Sequence, residues 1–248
     1  MNIIAIIPAR YSSTRFPGKP LALIHGKPMI QRVYEQVMKS QKLSNVVVAT
    51  DDARIEQAVK NFGGHVVMTS GLHQSGTERC AEVITKLPDN FDYVINVQGD
   101  EPFIQSSQID LLCTVFTSPE VRIATLVKKI SRSEELFNPN VVKAVINNAG
   151  EAMYFSRSPI PHHRNAMENY WVNLGNYYKH IGMYGYEKNT LAEIVTLPLN
   201  ELEKAESLEQ LRWLANGIAI RTTITEEETI SIDTPEDLMQ AEKFYRDH

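Results

Sequence analysis

The sequence predicts an α/β protein whose sheet is mostly parallel in its first half and mixed in its second. Three observations predict it. Short β-branched apolar runs stand at 2–7, 46–50, 65–69 and 93–97. Amphipathic helical stretches separate them, at 28–40, 52–62 and 76–87. Beyond residue 140 the runs at 141–147 and 151–156 flank Asn147-Asn148-Ala149-Gly150, a hairpin signal.

Each element has its own warrant. The first strand ends at Pro8, which cannot donate to a ladder. The first helix carries Ile30, Val33, Val37 and Met38 on one side. The second carries Ile55, Val59 and Phe62 and stops at Gly63. A fourth helix, 105–117, carries Ile109, Leu112, Cys113 and Phe116. No element is assigned over 118–140. The aromatic run 177–186 reads as extended, followed by helices at about 187–196 and 206–216, the latter closed by Gly217. Strands at 218–224 and 229–232 precede a final helix, with Thr234 as cap, Pro235 in first position and Asp237 completing a capping box.

Composition narrows the class. A chain of 248 residues, 43% hydrophobic and 22% charged, can bury a sizeable core and is neither disordered, collagenous nor coiled coil. No apolar run approaches the roughly 20 residues of a membrane helix, so no membrane insertion is expected. The apolar start lacks the preceding basic residue and the length of a signal peptide. Two isolated cysteines, Cys80 and Cys113, imply no disulfide framework, and a cytoplasmic location is expected. The net charge is −5, yet residues 1–34 carry Arg10, Arg15, Lys19, Lys27 and Arg32 and no carboxylate. An acidic chain with one local basic stretch points to a small anion, not to nucleic acid.

Three motifs follow strand ends, where ligands bind in open α/β sheets. The loop Pro8–Leu21 offers the hydroxyls of Ser12, Ser13 and Thr14 and the cations Arg10, Arg15 and Lys19, a set that suits a polyphosphate. It is neither a Walker A loop nor a GxGxxG fingerprint. In Asn96-Val97-Gln98-Gly99-Asp100-Glu101-Pro102, Asp100 is either a hard-oxygen ligand for Mg²⁺ or part of an ordinary turn. Ser75-Gly76-Thr77-Glu78-Arg79 is either an anion site at a helix start or a plain capping turn. Asp233, before the final helix, is either a second metal ligand or an acid favoured by the helix dipole. Arg157, His180 and Tyr184 could read an acidic sugar. Neither a zinc site nor a nucleophile elbow is present.

Taken in order, IIPARYSSTRFPGKPL, VVVATDD, SGTER, NVQGDEP, FSRSPIP, KHIGMYGY, ESLEQLRWL and IDTPEDL resemble the 3-deoxy-manno-octulosonate (Kdo) cytidylyltransferases across essentially the whole chain. The resemblance implies a Rossmann-like nucleotide-diphospho-sugar transferase fold in one domain, 1–248. Its nucleotide-binding half would be about 1–130 and its sugar-binding and dimerisation half about 131–248. It also implies a homodimer and Mg²⁺-dependent transfer of CMP from CTP to Kdo for lipopolysaccharide synthesis. By motif, Arg10, Ser13, Arg15 and Lys19 would hold the CTP phosphates, and Ala49, Asp51, Ser75 and Arg79 would line the nucleotide. Asp100 and Asp233 would hold Mg²⁺, with Lys19 completing the catalytic set. Gln98, Arg157, His180, Tyr184, Glu209 and Gln210 would bind the sugar. Glu78 stands where the family usually has Asp, and His162-His163 where an aromatic residue and a proline are more usual. A CMP-sialic acid synthetase and an inactive nucleotide or sugar sensor are the rival readings. The loop PGKPL argues against the first and the retained Lys19, Asp100 and Asp233 against the second.

Overall fold

The computed structural model describes residues 1–12, 16–88, 90–228, 231–232 and 234–247, with backbone alone at 240 and 243–247. The chain divides into two compact units, Met1–Cys113 with 228–248, and Thr114–Glu227.

The first unit is built on parallel strands. They are β1 (Ile3–Ala9), β4 (Asn45–Thr50), β5 (Val66–Met68) and β6 (Tyr93–Asn96), with a small antiparallel pair, β2 (Leu23–Ile24) and β3 (Lys27–Pro28), after the basic loop. β1 pairs with β4 on one side, from Ile4↔Asn45 to Ala9↔Thr50, and with β6 on the other, from Ile3↔Tyr93 to Ile6↔Asn96. β4 in turn pairs with β5. The chain therefore runs outward from β1 to β5 and returns to the opposite flank of β1. The order reverses between β1 and β6, and it is beyond the carboxyl ends of such strands that open α/β sheets bind ligands. Ile3–Ile7 are all 0% exposed, which is why β1 reads as a continuous apolar run with no polar face.

Three helices connect these strands, α1 (Met29–Val37), α2 (Ala53–Asn61) and α3 (Gly76–Lys86), and α4 (Ser106–Val115) follows β6. Asp52 caps α2 by accepting from Arg54 N, and Gly63 ends it at φ +77°. α1 buries Met29, Ile30, Val33, Tyr34 and Val37. Met38 departs from the expected apolar side: it falls at the helix end and is exposed. The final helix (Pro235–Asp247) begins as expected, since Thr234 Oγ1 accepts from Asp237 N at 3.2 Å and Asp237 Oδ2 accepts from Thr234 N at 2.9 Å. It packs Ala241 and Leu238 with Ile24, Met29, Phe103 and Ile232.

The second unit holds β7 (Ile123–Lys129), α5 (Ser133–Phe137), β8 (Lys143–Ile146), β9 (Ala152–Ser156), α6 (Trp171–Leu174), β10 (Tyr178–Glu187), α7 (Lys188–Ile194), α8 (Glu201–Glu206), α9 (Gln210–Ala215) and β11 (Ile220–Ile224). β7 runs parallel to β11 and antiparallel to β10, while β8 runs antiparallel to both β10 and β9. This is the expected mixed character, and the β8–β9 turn closes as expected with Gly150 at φ +77°. Two expectations need correction. The unassigned stretch 118–140 contains β7, a β-branched run bounded by Pro119 and Ser131, and α5. The expected helix 206–216 is the shorter α9, because Ser207 adopts left-handed backbone at φ 51° and separates it from α8, which the reading did not assign. Of the expected strand 229–232, positions 229 and 230 lie outside the described residues.

A Cβ added at Gly99 would stand 2.7 Å from the Pro8 carbonyl oxygen and 3.7 Å from Ile7 Cγ2. Both neighbours belong to β1 and have no room to give. Gly99→Ala is therefore expected to destabilise the protein by about 1–3 kcal/mol in denaturant titration, as overpacking does. Gly71→Ala, whose added carbon meets Asp51 Oδ2 at an ordinary 3.5 Å, should change stability far less. Equal midpoints for the two variants would contradict this packing.

Candidate active site

The carboxyl ends of the parallel strands gather the polar residues of the first unit. Pro8 is the hub. Its ring lies 3.3 Å from the position of a Cβ at Gly76, the first residue of α3, and its carbonyl abuts Gly99. The basic loop after β1 folds back through Gly18 N donating to Tyr11 O at 2.8 Å. Gly18, at φ +73°, leaves room for the Tyr11 ring, and Arg54 stacks on that ring 3.2 Å from its centroid. Lys19 then donates from Nζ to Asp100 Oδ2 at 2.6 Å. With side chains 13% and 28% exposed, the pair is neither fully screened by water nor dry.

Glu101 follows Asp100 but is a different group. It is buried, its Oε2 has no hydrogen-bond partner, and burial, aided by Asp100, pushes its carboxyl up to about 8. Near pH 7 Glu101 holds a proton, so Asp100 is the carboxylate of this turn that can face a cation. Asp100 also anchors the C-terminal segment, since its carbonyl accepts from Ile232 N at 2.9 Å. Positions 13, 15 and 233 lie outside the described residues, so the expectations for Ser13, Arg15 and Asp233 concern residues whose placement is not described.

A second cluster surrounds the start of α3. Arg79 is fully buried and donates from Nη1 to Thr69 Oγ1 and from Nη2 to Asp51 Oδ2 at 3.2 Å, while its Nε has no partner. Arg10 donates to the His73 carbonyl, and burial followed by the nearby Arg79 charge lowers its pKa. Two guanidinium groups close enough to repel favour an anion beside them. Ser75 caps α3 with a full capping box, and Glu78 has the length to accept from both Ser75 N, at 3.4 Å, and Gln74 N, at 2.6 Å. Ala49 is buried in β4, opposite Pro8 and Val67. Gln98 opens the turn that carries Asp100, its carbonyl accepting from Glu101 N at 3.4 Å.

In the second unit His180, Tyr184 and Glu209 come together. His180 packs edge-on against Phe155, with centroids 5.2 Å apart, and lies tilted against Tyr184 at 5.1 Å. Tyr184 meets Trp213 at 5.1 Å. Its hydroxyl is buried without a partner, and burial, with Tyr186 and Glu209 nearby, raises its pKa well above the usual value. Burial pushes the His180 ring down to about 3. Glu209 is held by Arg212 Nη2 at 3.1 Å, and Gln210 is buried at the start of α9. Arg157 is more tightly built in than its motif suggested. Its Nε donates to Glu206 O at 2.7 Å, its Nη1 to Pro139 O at 3.2 Å and its backbone N to Glu206 Oε2 at 2.9 Å. Its own carbonyl accepts from the buried Lys143 Nζ. Lys143 and Glu206 were not singled out in the sequence, where a lone Lys in a strand carries no signal. His162 stands edge-on to Trp171 at 4.8 Å, a packing role.

The low His180 pKa has a consequence for stability. A histidine unfolded in water takes a proton below about pH 6.5, whereas this ring stays neutral down to about 3. Between those values the unfolded chain binds more protons, so stability falls as pH drops. The stability lost on His180→Gln, measured in denaturant, should accordingly shrink from pH 7 towards about pH 4.5. A deficit independent of pH would contradict the burial of this ring.

Comparison with known proteins places this geometry. Residues 4–243 match the family model described as Cytidylyltransferase. The chain is 56% identical over 248 residues to the 3-deoxy-manno-octulosonate cytidylyltransferase of Parabacteroides distasonis, covering 98% of both chains. It superposes with a TM-score of 0.92 and 43% identity on a solved CMP:2-keto-3-deoxy-manno-octonic acid synthetase complexed with CTP, over 100% of this chain and 99% of that one. At 13% identity and a TM-score of 0.64, a 4-diphosphocytidyl-2C-methyl-D-erythritol synthase from Anaerococcus prevotii shares the fold alone, over 99% of this chain and 98% of that one. With its α/β architecture, the chain belongs to the 3-deoxy-manno-octulosonate cytidylyltransferase family of enzymes.

Proposed function

We propose that the protein transfers CMP from CTP to the anomeric hydroxyl of Kdo, releasing pyrophosphate, with Mg²⁺ as cofactor, to supply lipopolysaccharide synthesis. The observation that carries this reading is the Lys19–Asp100 pair at the strand-order reversal, on a loop that is cationic throughout. The names of the relatives and the bound CTP of the solved synthetase support it.

The residues of the first unit suit the triphosphate. Lys19 and Arg10 supply positive charge, with Ser13 and Arg15 as further candidates, while Ala49, Asp51, Ser75 and Arg79 frame the nucleotide. Among the described residues no three His, Cys, Asp or Glu side chains form a ready metal cage. Mg²⁺ commonly takes one or two carboxylates plus substrate phosphates, and Asp100, a part-exposed hard-oxygen donor beside one cation, fits that demand. Asp100, with Asp233 as second candidate, would hold the ion, which when bound neutralises phosphate charge. The anomeric oxygen attacks the α-phosphorus, the bond to the pyrophosphate oxygen breaks, and the hydroxyl proton leaves to water. Lys19 stabilises the charge that develops on the departing group. Gln98, Arg157, His180, Tyr184, Glu209 and Gln210 bind the sugar. His180 stays neutral there, as a hydrogen-bonding group for hydroxyls and not as a counter-ion for the carboxylate.

Both cysteines are free and buried, which suits a reducing cytoplasm. Among the described residues no helix is long and apolar enough to cross a membrane. Met153, Met167, Tyr170 and Leu174 of the second unit are exposed, which suits a homodimer.

The direct test is to incubate the protein with CTP, Mg²⁺ and a panel containing Kdo, 8-amino-Kdo and sialic acid, and to identify the product by mass spectrometry. CMP-Kdo with equimolar pyrophosphate is expected. A product from sialic acid alone, or none, would refute the reading. Lys19→Ala should lower kcat/KM for CTP about 100-fold, in line with losing about 2–4 kcal/mol of transition-state stabilisation. Arg157→Ala should raise the KM for Kdo while CTP affinity by calorimetry stays intact. Lost CTP affinity in that variant would place Arg157 on the wrong substrate.

A further inference from the structure

We propose that Thr125 is a positioning residue that fixes His180 as its Nε2–H tautomer, leaving Nδ1 as the acceptor for a hydroxyl of the sugar. The ligand half of this inference rests on the sugar reading of His180 given above; the tautomer half stands on geometry alone.

Thr125 is fully buried on β7. The β7–β10 register pairs Val127 with His180 and Thr125 with Tyr184, across an irregularity between Ile181 and Tyr184. Residues paired directly across two strands share a sheet face, so Thr125, His180 and Tyr184 lie on one side. Thr125 Oγ1 is 2.9 Å from His180 Nε2, 2.8 Å from Met183 O and 3.3 Å from Ile181 O. A hydroxyl has one proton to give and two lone pairs to receive with. The two carbonyls can only accept, so the proton goes to one of them, and Met183 O is the nearer. Were Nε2 bare, it would then face an oxygen lone pair at 2.9 Å with no proton between them. Thr125 is fully buried, so no water reaches its hydroxyl to relieve that contact. With a proton on Nε2, His180 donates to Thr125 and Thr125 donates to Met183, and only the longer 3.3 Å approach to Ile181 O goes without a proton.

The rest of the ring leaves one opening. Phe155 and Tyr184 pack against it, and Thr125 holds the Nε2 edge. No described residue bonds Nδ1. A neutral imidazole with a proton on Nε2 presents Nδ1 as a pure acceptor, which matches a sugar hydroxyl and not a carboxylate. The same threonine also ties down the irregular stretch that leads into Tyr184, so one hydroxyl sets two of the sugar-side groups.

The test uses the full-length enzyme labelled with ¹⁵N-histidine. Long-range proton–nitrogen spectra report each ring's tautomer, and the signals missing from His180→Gln identify His180. Wild type should show only Nε2–H at this ring. Thr125→Val, which keeps the shape and removes the hydroxyl, should shift the tautomer balance and raise the KM for Kdo about tenfold, with the KM for CTP within about twofold. Thr125→Ser should restore both readouts. A wild-type ring protonated on Nδ1 overturns the proposal. So does a Thr125→Val protein with unchanged tautomer and unchanged KM, or a Thr125→Ser protein that loses both. If Thr125→Val does not fold, the wild-type spectrum and the serine variant decide. Should Thr125→Val shift the tautomer while it and His180→Gln both leave the KM for Kdo unchanged, the sugar reading of His180 falls and the ligand half of the proposal with it.

Discussion

The arrangement depends on one steric constraint: the turn after β6 passes so close to the end of β1 that only a residue without a side chain fits. Gly99 lies where a Cβ would stand 2.7 Å from the Pro8 carbonyl. Because the parallel strand order reverses between these two strands, that contact sits at the mouth of the crevice such sheets use for ligands. It brings the residue after Gly99 to the loop that follows Pro8, and the result is the 2.6 Å bond from Lys19 to Asp100. The start of α3 is drawn to the same place through Gly76 and the Pro8 ring.

Charge management follows from this packing. The turn carries two adjacent acids, and two carboxylates side by side would repel each other. Burial removes the difficulty by keeping Glu101 protonated up to about pH 8, so a single charge, on Asp100, faces the cationic loop. On the other flank Arg79 is buried and paired with Asp51, and burial, followed by the Arg79 charge, lowers the pKa of Arg10. The first unit is thus arranged to favour an added anion. The residues of the second unit proposed for the sugar follow the opposite logic. His180 is neutral and Tyr184 holds its proton, so in that role they would recognise hydroxyls by direction and not by charge.

Much of this was legible in the sequence because it is local. The continuous apolar run of β1, the cap at Thr234 with Asp237, the stop at Gly63 and the Asn147–Gly150 turn each arise within a few residues, and each appears as read. The grouping of Lys19 with Asp100 was legible only through the rule that strand ends converge. What escaped the reading depends on partners distant in sequence. Lys143 spends its charge on the carbonyls of Asn138, Val141 and Arg157, and nothing in the residues around it announces that. Thr125 matters because β10 runs beside β7, and β7 itself was passed over although its β-branched run was readable. The break at Ser207 rests on left-handed backbone at a serine, which carries no strong sequence signal.

The central claim is that the Asp100 carboxylate beside Lys19 is where metal and triphosphate meet. Calorimetric titration of CTP, with and without Mg²⁺, into wild type and Asp100→Asn tests it most directly, because it needs no sugar and no turnover. The account predicts that Mg²⁺ strengthens CTP binding to the wild type by about tenfold or more, and that Asp100→Asn loses most of this gain while still binding CTP without metal. An Asp100→Asn protein that keeps the full Mg²⁺ enhancement would contradict it.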